Sequence, residues 1–260
     1  SADVDIYNNS FGISYDGETT YLLETYLSGT TLDVLEHGVN NLRDSKGAIY
    51  VYSAGNAFST NSTDDCGTGK DLACTEIIID NKKNQPYTIP VAALNADGVK
   101  SSYSTPGASI WISGFGGEGG YDGSIFNTSG VEVDPAIMTV DRSTCALGNS
   151  RTGNTGAHGK NKFDLNGLGF NDQLNLNPDC NYVSSFNGTS AAAPIVSGVI
   201  ALMLEANPDL TWRDVKHILV TTADKVDASR TYDQQGVNQY SWIENSAGYE
   251  HHKWYGFGKI

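Results

Sequence analysis

Positive charge is scarce in this 260-residue chain, which carries 16 Lys and Arg against 30 Asp and Glu, for a formal net charge of −14. Because binding to nucleic acid depends on neutralising phosphates with Lys and Arg, this balance argues against a nucleic-acid partner. It favours cationic partners, either a bound calcium ion or substrates that carry Lys and Arg. A surface whose acidity only keeps the protein soluble explains the charge equally well.

Long apolar runs are also lacking. No stretch approaches the ~20 residues that a membrane-spanning helix needs, and we therefore expect no membrane association. Residues 1–12 are polar and do not have the apolar centre of a signal peptide. If the protein is exported, we expect the export signal to lie outside these residues.

Cysteine is rare as well, with four in all: Cys66, Cys74, Cys145 and Cys180. Their spacing differs from the C-x2-C pairs typical of zinc sites. An even number in loop-type surroundings indicates disulfides formed in an oxidising compartment, either outside the cell or in a periplasm or secretory-pathway lumen. Four cysteines allow three pairings, and joining nearest neighbours is one of them.

The order of the predicted elements indicates an α/β fold. Apolar residues recur at helical spacing over residues 19–43, where Gly29 can interrupt the helix, and an apolar strand follows over residues 48–53. A helix followed by such a strand is the repeating unit of a parallel sheet. We predict an α/β domain with a mainly parallel sheet and helices on both faces. Its other predicted strands cover residues 3–7, 87–94 and 110–112, and its other helices 189–205 and 212–222.

Residues 143–185 differ in composition from the rest of the chain. They are rich in Gly and Asn, and they are too long for an ordinary connection. We interpret them as an insertion that Cys145 and Cys180 join at its ends. Such an insertion either borders the functional cleft, where it restricts access or binds a maturation partner, or is a plain surface loop.

The strongest chemical signal is the octapeptide 187–194, Asn-Gly-Thr-Ser-Ala-Ala-Ala-Pro, at the start of an apolar helix. Small neighbours leave the hydroxyl of Ser190 accessible. The helix N-terminus offers free N–H groups and a partial positive charge, and both favour an oxyanion beside that serine. A serine at a helix start is usually a simple N-cap. The complete octapeptide favours the catalytic interpretation.

Several motifs resemble those of the subtilase family of serine proteases. The octapeptide is similar to the family's nucleophile motif, and residues 53–56, Ser-Ala-Gly-Asn, resemble the segment that supplies its oxyanion-hole asparagine. Residues 43–51, 204–215 and 255–260 are similar to the kexin and furin branch. The resemblance covers nearly the whole chain apart from the insertion, and it implies a subtilisin-like fold and a secreted serine endopeptidase.

The resemblance implies a role for each matching residue. Ser190 would attack the scissile carbonyl, while the Asn56 side-chain amide and the Ser190 N–H would hold the oxyanion. The segment after the first strand resembles the family's strand that pairs with the extended substrate, and it makes Ser10 and Gly12 substrate-binding candidates. Phe11 replaces the tryptophan usual there.

The resemblance to the kexin branch also implies a substrate specificity. In that branch, two acidic groups line the pocket for a basic P1 side chain. Aligning residues 84–91 with the family's equivalent strand puts Asp80 at one of these positions. The second acidic position of the family aligns with Tyr15 or a residue beside it. If it aligns with Tyr15, that acid is missing here, and Asp16 is the candidate to replace it. We therefore expect cleavage after Arg or Lys and leave dibasic selectivity open. In the alternative interpretation Asp80 is an ordinary loop carboxylate.

The family's catalytic Asp and His have no match. Both would stand before the strand matched by residues 3–12, and none of the five histidines is followed by Gly-Thr. We therefore expect residues 1–260 to form a partial catalytic domain that lacks the Asp/His segment and the C-terminal end. Alone it would be inactive as a protease, because the oxyanion hole and binding supply little catalysis without a base.

Structural calcium is implied by the resemblance and favoured by the negative charge. Residues 64–65, 164–167 and 171–172 form oxygen-rich turns, but none has the complete calcium-binding loop, so we assign no ligands. A pro-segment or maturation partner is a further expectation. The main rival function is a non-catalytic binding or regulatory module on the same scaffold. A second rival, an esterase of the α/β-hydrolase type, is disfavoured because the sequence around Ser190 lacks the G-x-S-x-G motif of that fold.

Overall fold

The protein is described from a computed structural model, which covers residues 4–12, 27–58, 76–119, 135–150, 177–228 and 241–260. The chain divides into two compact units, and each is considered by itself. The first consists of Ser1–Leu94, Gly98–Phe115 and Gly188–Ile260. The second consists of Asn95–Asp97 and Gly116–Asn187.

A four-stranded parallel sheet forms the centre of the first unit. Its strands lie in the order β1, β2, β3, β4, with the bounds Ile6–Asn9, Ile49–Ser53, Thr88–Leu94 and Ile112–Phe115. Every residue of β2 and β3 is buried, as expected of parallel strands covered on both faces. The predicted α/β class with a parallel sheet is confirmed.

Two predicted strands have the wrong ends. β1 begins at Ile6 rather than residue 3 and extends past residue 7 to include Asn8 and Asn9. The two asparagines pair with Val51 and Tyr52 of β2, so pairing in the sheet overrides their local preference for turns. β4 likewise starts two residues later than predicted and extends to Phe115.

Three helices complete the first unit: α1 at Gly29–Asn41, α2 at Thr189–Ala206 and α3 at Trp212–Thr222. Gly29 does not interrupt α1 but begins it, because the Ser28 side chain caps the helix by accepting from the Thr31 N–H. Residues 19–26 of that predicted helix lie outside the described residues, and α1 ends at Asn41 rather than at residue 43. α3 has the predicted start, a capping box between Thr211 and Asp214.

α2 is the central helix of the first unit. Its length and apolar composition would also suit a membrane-spanning segment. Ala192, Ala193, Val196 and Ile200 are nevertheless buried in the same core as β2 and β3. At Gly114 of β4 a Cβ would lie 3.0 Å from a methyl group of Val196, so the helix and strand pack closely. Packing on the sheet accounts for the apolar character of α2.

The second unit contains a small antiparallel sheet and a disulfide. Strands β5, Ile137–Val140, and β6, Tyr182–Phe186, pair with each other. Cys145 and Cys180 are bonded, which confirms that the ends of the proposed insertion are joined. Residues 151–176 of the insertion lie outside the described residues, as do Cys66 and Cys74.

A second short pair of antiparallel strands, β7 at Ile243–Glu244 and β8 at Glu250–His251, belongs to the first unit.

The helical glycines offer a test of the packing of α1 on the sheet. A Cβ on Gly38 would overlap Tyr50 Oη, and Tyr50 is only 6% exposed. We therefore expect Gly38→Ala to lower the free energy of unfolding by about 1–3 kcal/mol through overpacking. Gly198→Ala in α2 is the control, because a Cβ there meets nothing within 4 Å. It should raise stability by about 0.5–1 kcal/mol. Urea unfolding followed by tryptophan fluorescence measures both changes in the free energy of unfolding. Equal changes for the two variants would contradict the close packing of Gly38 against Tyr50.

Candidate active site

The candidate site lies at the carboxyl ends of β1 and β2, where α2 begins. Ser10 follows β1, and Gly55 and Asn56 follow β2, so these residues meet at one edge of the parallel sheet. Two hydrogen bonds connect this edge to the start of α2. Ser10 Oγ donates to the Ser190 carbonyl at 3.0 Å, and the Gly55 N–H donates to Thr189 Oγ1 at 3.0 Å. The structure therefore brings together Ser10, Asn56 and Ser190, which the sequence analysis selected from separate motifs.

Asn56 is held by the first residue of α2. Its Oδ1 accepts from the Thr189 N–H at 2.9 Å and from Thr189 Oγ1 at 2.8 Å. Since both bonds are made to the oxygen, they determine which way the amide points. In the described part of the chain, Asn56 Nδ2 donates to no protein acceptor. A hydrogen-bond donor is therefore held in place with its acceptor position open.

Gly188 keeps the space beside that donor empty. Its backbone has φ 107° and ψ 161°, which side chains rarely tolerate, and its N–H donates to Tyr103 Oη at 2.8 Å. A Cβ at this position would lie 3.2 Å from Asn56 Nδ2 and 3.5 Å from the Ser190 nitrogen. Because residue 188 is glycine, an oxygen atom can occupy the gap between these two donors.

Ser190 is the second residue of α2, and its N–H has no carbonyl four residues earlier to bond within the helix. Its own carbonyl is also free of the usual helical partner, since Pro194 has no N–H to donate. Ser10 Oγ donates to that carbonyl instead, and Ser190 Oγ donates to the Ser10 carbonyl at 3.3 Å. The proline therefore opens the first turn of α2 to a contact with the segment after β1.

Among the residues that the structure describes, no histidine contacts Ser190 Oγ. His37 bonds to Asn41, and His217 stacks edge-on against Tyr249. His251 bonds through Nε2 to the Ile110 carbonyl, and burial lowers its pKa. The contacts of these three histidines are therefore made with groups other than Ser190. His158 lies outside the described residues.

Asp80 shares a small cavity with Asn56. The cavity has a volume of about 30 Å³, and its lining includes Asn56, Asp80, Lys83 and Thr105. Asp80 is 3% exposed, so its carboxylate is buried. Burial, and after it the charge of Asp80, raises the pKa of Tyr52 to about 12.

Lys83 is the residue that the sequence analysis missed. Its Nζ lies 3.3 Å from Asp80 Oδ2, and both side chains are almost fully buried. Gly12 packs directly on this pair, because a Cβ there would lie 2.5 Å from Lys83 Nζ. Burial lowers the pKa of Lys83, although the Asp80 charge acts in the opposite direction. Tyr15 and Asp16, the other candidates for the pocket, lie outside the described residues.

Metal ligands are not grouped in the described ranges: these contain no cluster of three or more His, Cys, Asp or Glu that could hold an ion. The oxygen-rich turns singled out in the sequence, at residues 64–65, 164–167 and 171–172, all lie outside the described residues.

Comparison with protein-family models matches residues 1–241 to the subtilase family. The Aeromonas extracellular serine protease of Aeromonas sobria is 32% identical over all of this chain and 40% of its own length. Human proprotein convertase subtilisin/kexin type 7 is 30% identical over 98% of this chain and 24% of its own length. The chain thus spans less than half the length of these relatives.

Two solved structures agree with the fold. The serine protease of Aeromonas sobria superimposes with a TM-score of 0.80 and 30% identity, over all of this chain and 42% of that protein. The complex of the Aeromonas sobria protease with the chaperone ORF2 gives a TM-score of 0.79, with 29% identity over 100% of this chain and 42% of that chain.

The Thr189 hydroxyl can be tested as the group that holds the site together. Thr189→Val keeps the shape but leaves the Gly55 N–H without an acceptor and removes one donor from Asn56. We expect a loss of about 1–3 kcal/mol in the free energy of unfolding, the cost of an unsatisfied buried donor. Thr189→Ser, which keeps the hydroxyl, should lose less. Urea unfolding measures both, and a Thr189→Val protein as stable as the unmodified one would contradict the role.

Proposed function

Because the chain belongs to the subtilase family, we propose that the protein is a serine endopeptidase in which Ser190 is the nucleophile and Asn56 an oxyanion donor. One observation supports this most directly. Asn56 Nδ2 and the Ser190 nitrogen both border the gap that glycine at 188 leaves open, 3.2 and 3.5 Å from where a Cβ would lie, and Ser190 Cβ is 3.7 Å from the same point. A tetrahedral intermediate places its negative oxygen at such a position, next to the serine that forms it.

In the proposed reaction, Ser190 Oγ bonds to the carbonyl carbon of the scissile peptide while its proton passes to a general base. The oxyanion is then held by Asn56 Nδ2 and the Ser190 N–H. The C–N bond breaks as the base returns the proton to the leaving amine, and water releases the acyl group from Ser190 by the same steps. The family resemblance implies a histidine as the base, oriented by an aspartate. We propose that both lie outside the described residues.

Ser10 and Gly12 have different proposed parts in binding substrate. We propose that the backbone of the segment after β1 pairs with the extended peptide. The Ser10 side chain is already bonded to the Ser190 carbonyl, so it serves to fix the nucleophile's segment rather than to contact the substrate. Gly12 brings that backbone close to Asp80 and Lys83.

We also propose a preference for Arg or Lys at P1. A buried carboxylate, Asp80, lies in the cavity next to Asn56 and can attract a basic side chain. The net charge of −14 favours basic substrates as well. Asp16 remains the candidate for a second acidic group.

Export and maturation are proposals of the same kind. The Cys145–Cys180 disulfide suits a secreted protein, and the Aeromonas sobria relative is described as extracellular. Since that protease has been solved with a chaperone, we propose a pro-segment or maturation partner here too. We propose structural calcium from the acidic charge and the resemblance alone, with no ligands assigned.

Labelling with a fluorophosphonate tests the proposed nucleophile. The protein produced from its complete gene should become covalently modified on Ser190, and Ser190→Ala should abolish the modification. Ser197→Ala is the matched control in the same helix, since its hydroxyl bonds to Asn8 and the Ala193 carbonyl. Mass spectrometry identifies the site. If Ser190 stays unmodified in the whole protein, the rival function, a non-catalytic binding or regulatory module, replaces the protease.

Asn56→Asp separates the donor role of Asn56 from its role in holding the loop. The aspartate can still accept both hydrogen bonds from Thr189, but it has no N–H to offer an oxyanion. We expect kcat on a peptide substrate to fall by at least about 10²–10³-fold, because one oxyanion donor is lost and the new carboxylate also repels the oxyanion. KM should change little, because the donor acts mainly on the transition state. Retention of full kcat would remove Asn56 from the oxyanion hole.

A further inference from the structure

Lys83 is a buried charged residue that the proposed mechanism does not use. Its side chain is 4% exposed and that of Asp80 is 5% exposed. Lys83 Nζ lies 3.3 Å from Asp80 Oδ2 and donates to the Ala54 carbonyl at 3.3 Å. A buried ammonium is unusual unless a carboxylate compensates it. Asp80 is therefore already paired with a cation supplied by the protein itself.

The pairing of Asp80 is incomplete. Although Oδ2 is within ion-pair distance of Lys83 Nζ, it accepts no hydrogen bond of good geometry from the described residues. The two observations are compatible, because charge attraction tolerates an angle that a hydrogen bond does not. Oδ1 accepts the Lys82 backbone N–H at 3.3 Å. Oδ2 thus retains the capacity to accept a hydrogen bond from another donor.

The position of this pair connects it to the substrate. Asn56 and Asp80 line the same cavity, and Gly12 lies against Lys83 Nζ from the side of the segment after β1. The cavity, at about 30 Å³, holds roughly one water molecule and not a long side chain. A basic P1 side chain that reaches Asp80 Oδ2 would therefore come close to the ammonium of Lys83, which lies 3.3 Å from that oxygen.

We propose that Lys83 is a specificity-determining residue that competes with a basic P1 side chain for Asp80. This rests on the proposed function, in which Asp80 attracts Arg or Lys. Only one cation can pair closely with Oδ2, since two cations beside one carboxylate in a buried site repel each other. Lys83 must therefore move aside or lose its proton when a basic side chain binds. The preference for Arg and Lys is accordingly weaker than Asp80 alone would produce.

Peptides that differ in one charge measure this competition. The substrates are two fluorogenic peptides, identical except for arginine or its uncharged isostere citrulline at P1. The ratio of their kcat/KM values reports the electrostatic preference and cancels changes in the chemical step. In the protein produced from its complete gene, we expect Lys83→Met to raise this ratio about tenfold or more, since a hydrogen bond to a charged group becomes available.

Lys82→Met is the matched control. This substitution removes the same charge from the neighbouring residue, whose Nζ lies 6.0 Å from the centre of the Phe11 ring. It keeps the hydrogen bond from the backbone N–H of residue 82 to Asp80 Oδ1. The ratio should then stay within about twofold of the unmodified value, because the effect of a more distant charge is screened. If Lys82→Met raised the ratio as much as Lys83→Met, the effect would come from the net charge of the protein rather than from Lys83, and the proposal would be overturned.

The pH dependence of the ratio provides a second measurement in case Lys83→Met does not fold. As the pH rises through the lowered pKa of Lys83, the ammonium is lost and Asp80 becomes available, so the ratio should increase at pH values below the ordinary lysine pKa of about 10.4. The charged or titratable groups around the Lys83–Asp80 pair are Lys82, Tyr52 and Glu76, and Glu76 is bonded to Lys253. Lys83→Arg cannot lose its proton in this range, so its ratio should stay flat.

The outcomes separate the proposal from the function on which it depends. An unchanged ratio in Lys83→Met, or equal pH profiles for the unmodified protein and Lys83→Arg, would make Lys83 a structural residue and overturn the proposal. Asp80→Asn should lower the ratio about tenfold. If it does not while both peptides are cleaved, the preference for basic residues is wrong and the proposal fails with it. If neither peptide is cleaved and Ser190 is not labelled, the protease function itself is refuted.

Discussion

The hydrogen bonds between Asn56 and Thr189 join the two parts of the chain on which the proposed chemistry depends. Asn56 belongs to the loop after β2, and Thr189 begins α2, 133 residues further along. Both groups of Thr189 bond to one oxygen of Asn56, and the Thr189 hydroxyl also accepts from Gly55. The amide of Asn56 can therefore turn only if these bonds break. Its position is set before any substrate arrives, as electrostatic catalysis requires.

Two residues near this contact break ordinary rules of local structure. Gly188 has a backbone conformation that other residues avoid, and Pro194 lies inside a helix. Each departure opens a position: glycine leaves the gap between two N–H donors, and proline frees the Ser190 carbonyl for Ser10. Violations of local preference that cluster around one serine indicate a functional site.

Much of the fold was predictable because its signals are local. The apolar strands β2 and β3 and the capping box at Thr211 could all be predicted from neighbouring residues. The ends of β1 were not, because its pairing with β2 decides them and lies outside the local sequence. The cysteine pairing remained open for the same reason until Cys145 was seen bonded to Cys180.

The candidate site was predictable only in part. Ser190 and Asn56 stand in motifs, whereas nothing in the sequence around Lys83 distinguishes it from Lys82. Only burial separates the two lysines, and burial depends on how the loop folds against Gly12 and Asp80. A residue whose role comes from its surroundings has no motif by which to find it.

The central claim is that the gap beside Gly188 receives the oxyanion. The most direct measurement is a crystal structure of the protein, produced from its complete gene, with a peptide phosphonate bonded to Ser190. The account predicts a phosphoryl oxygen about 2.7–3.1 Å from both Asn56 Nδ2 and the Ser190 nitrogen, in the space that a Cβ on residue 188 would fill. A phosphoryl oxygen bound elsewhere, with Asn56 Nδ2 left unbonded, would contradict it.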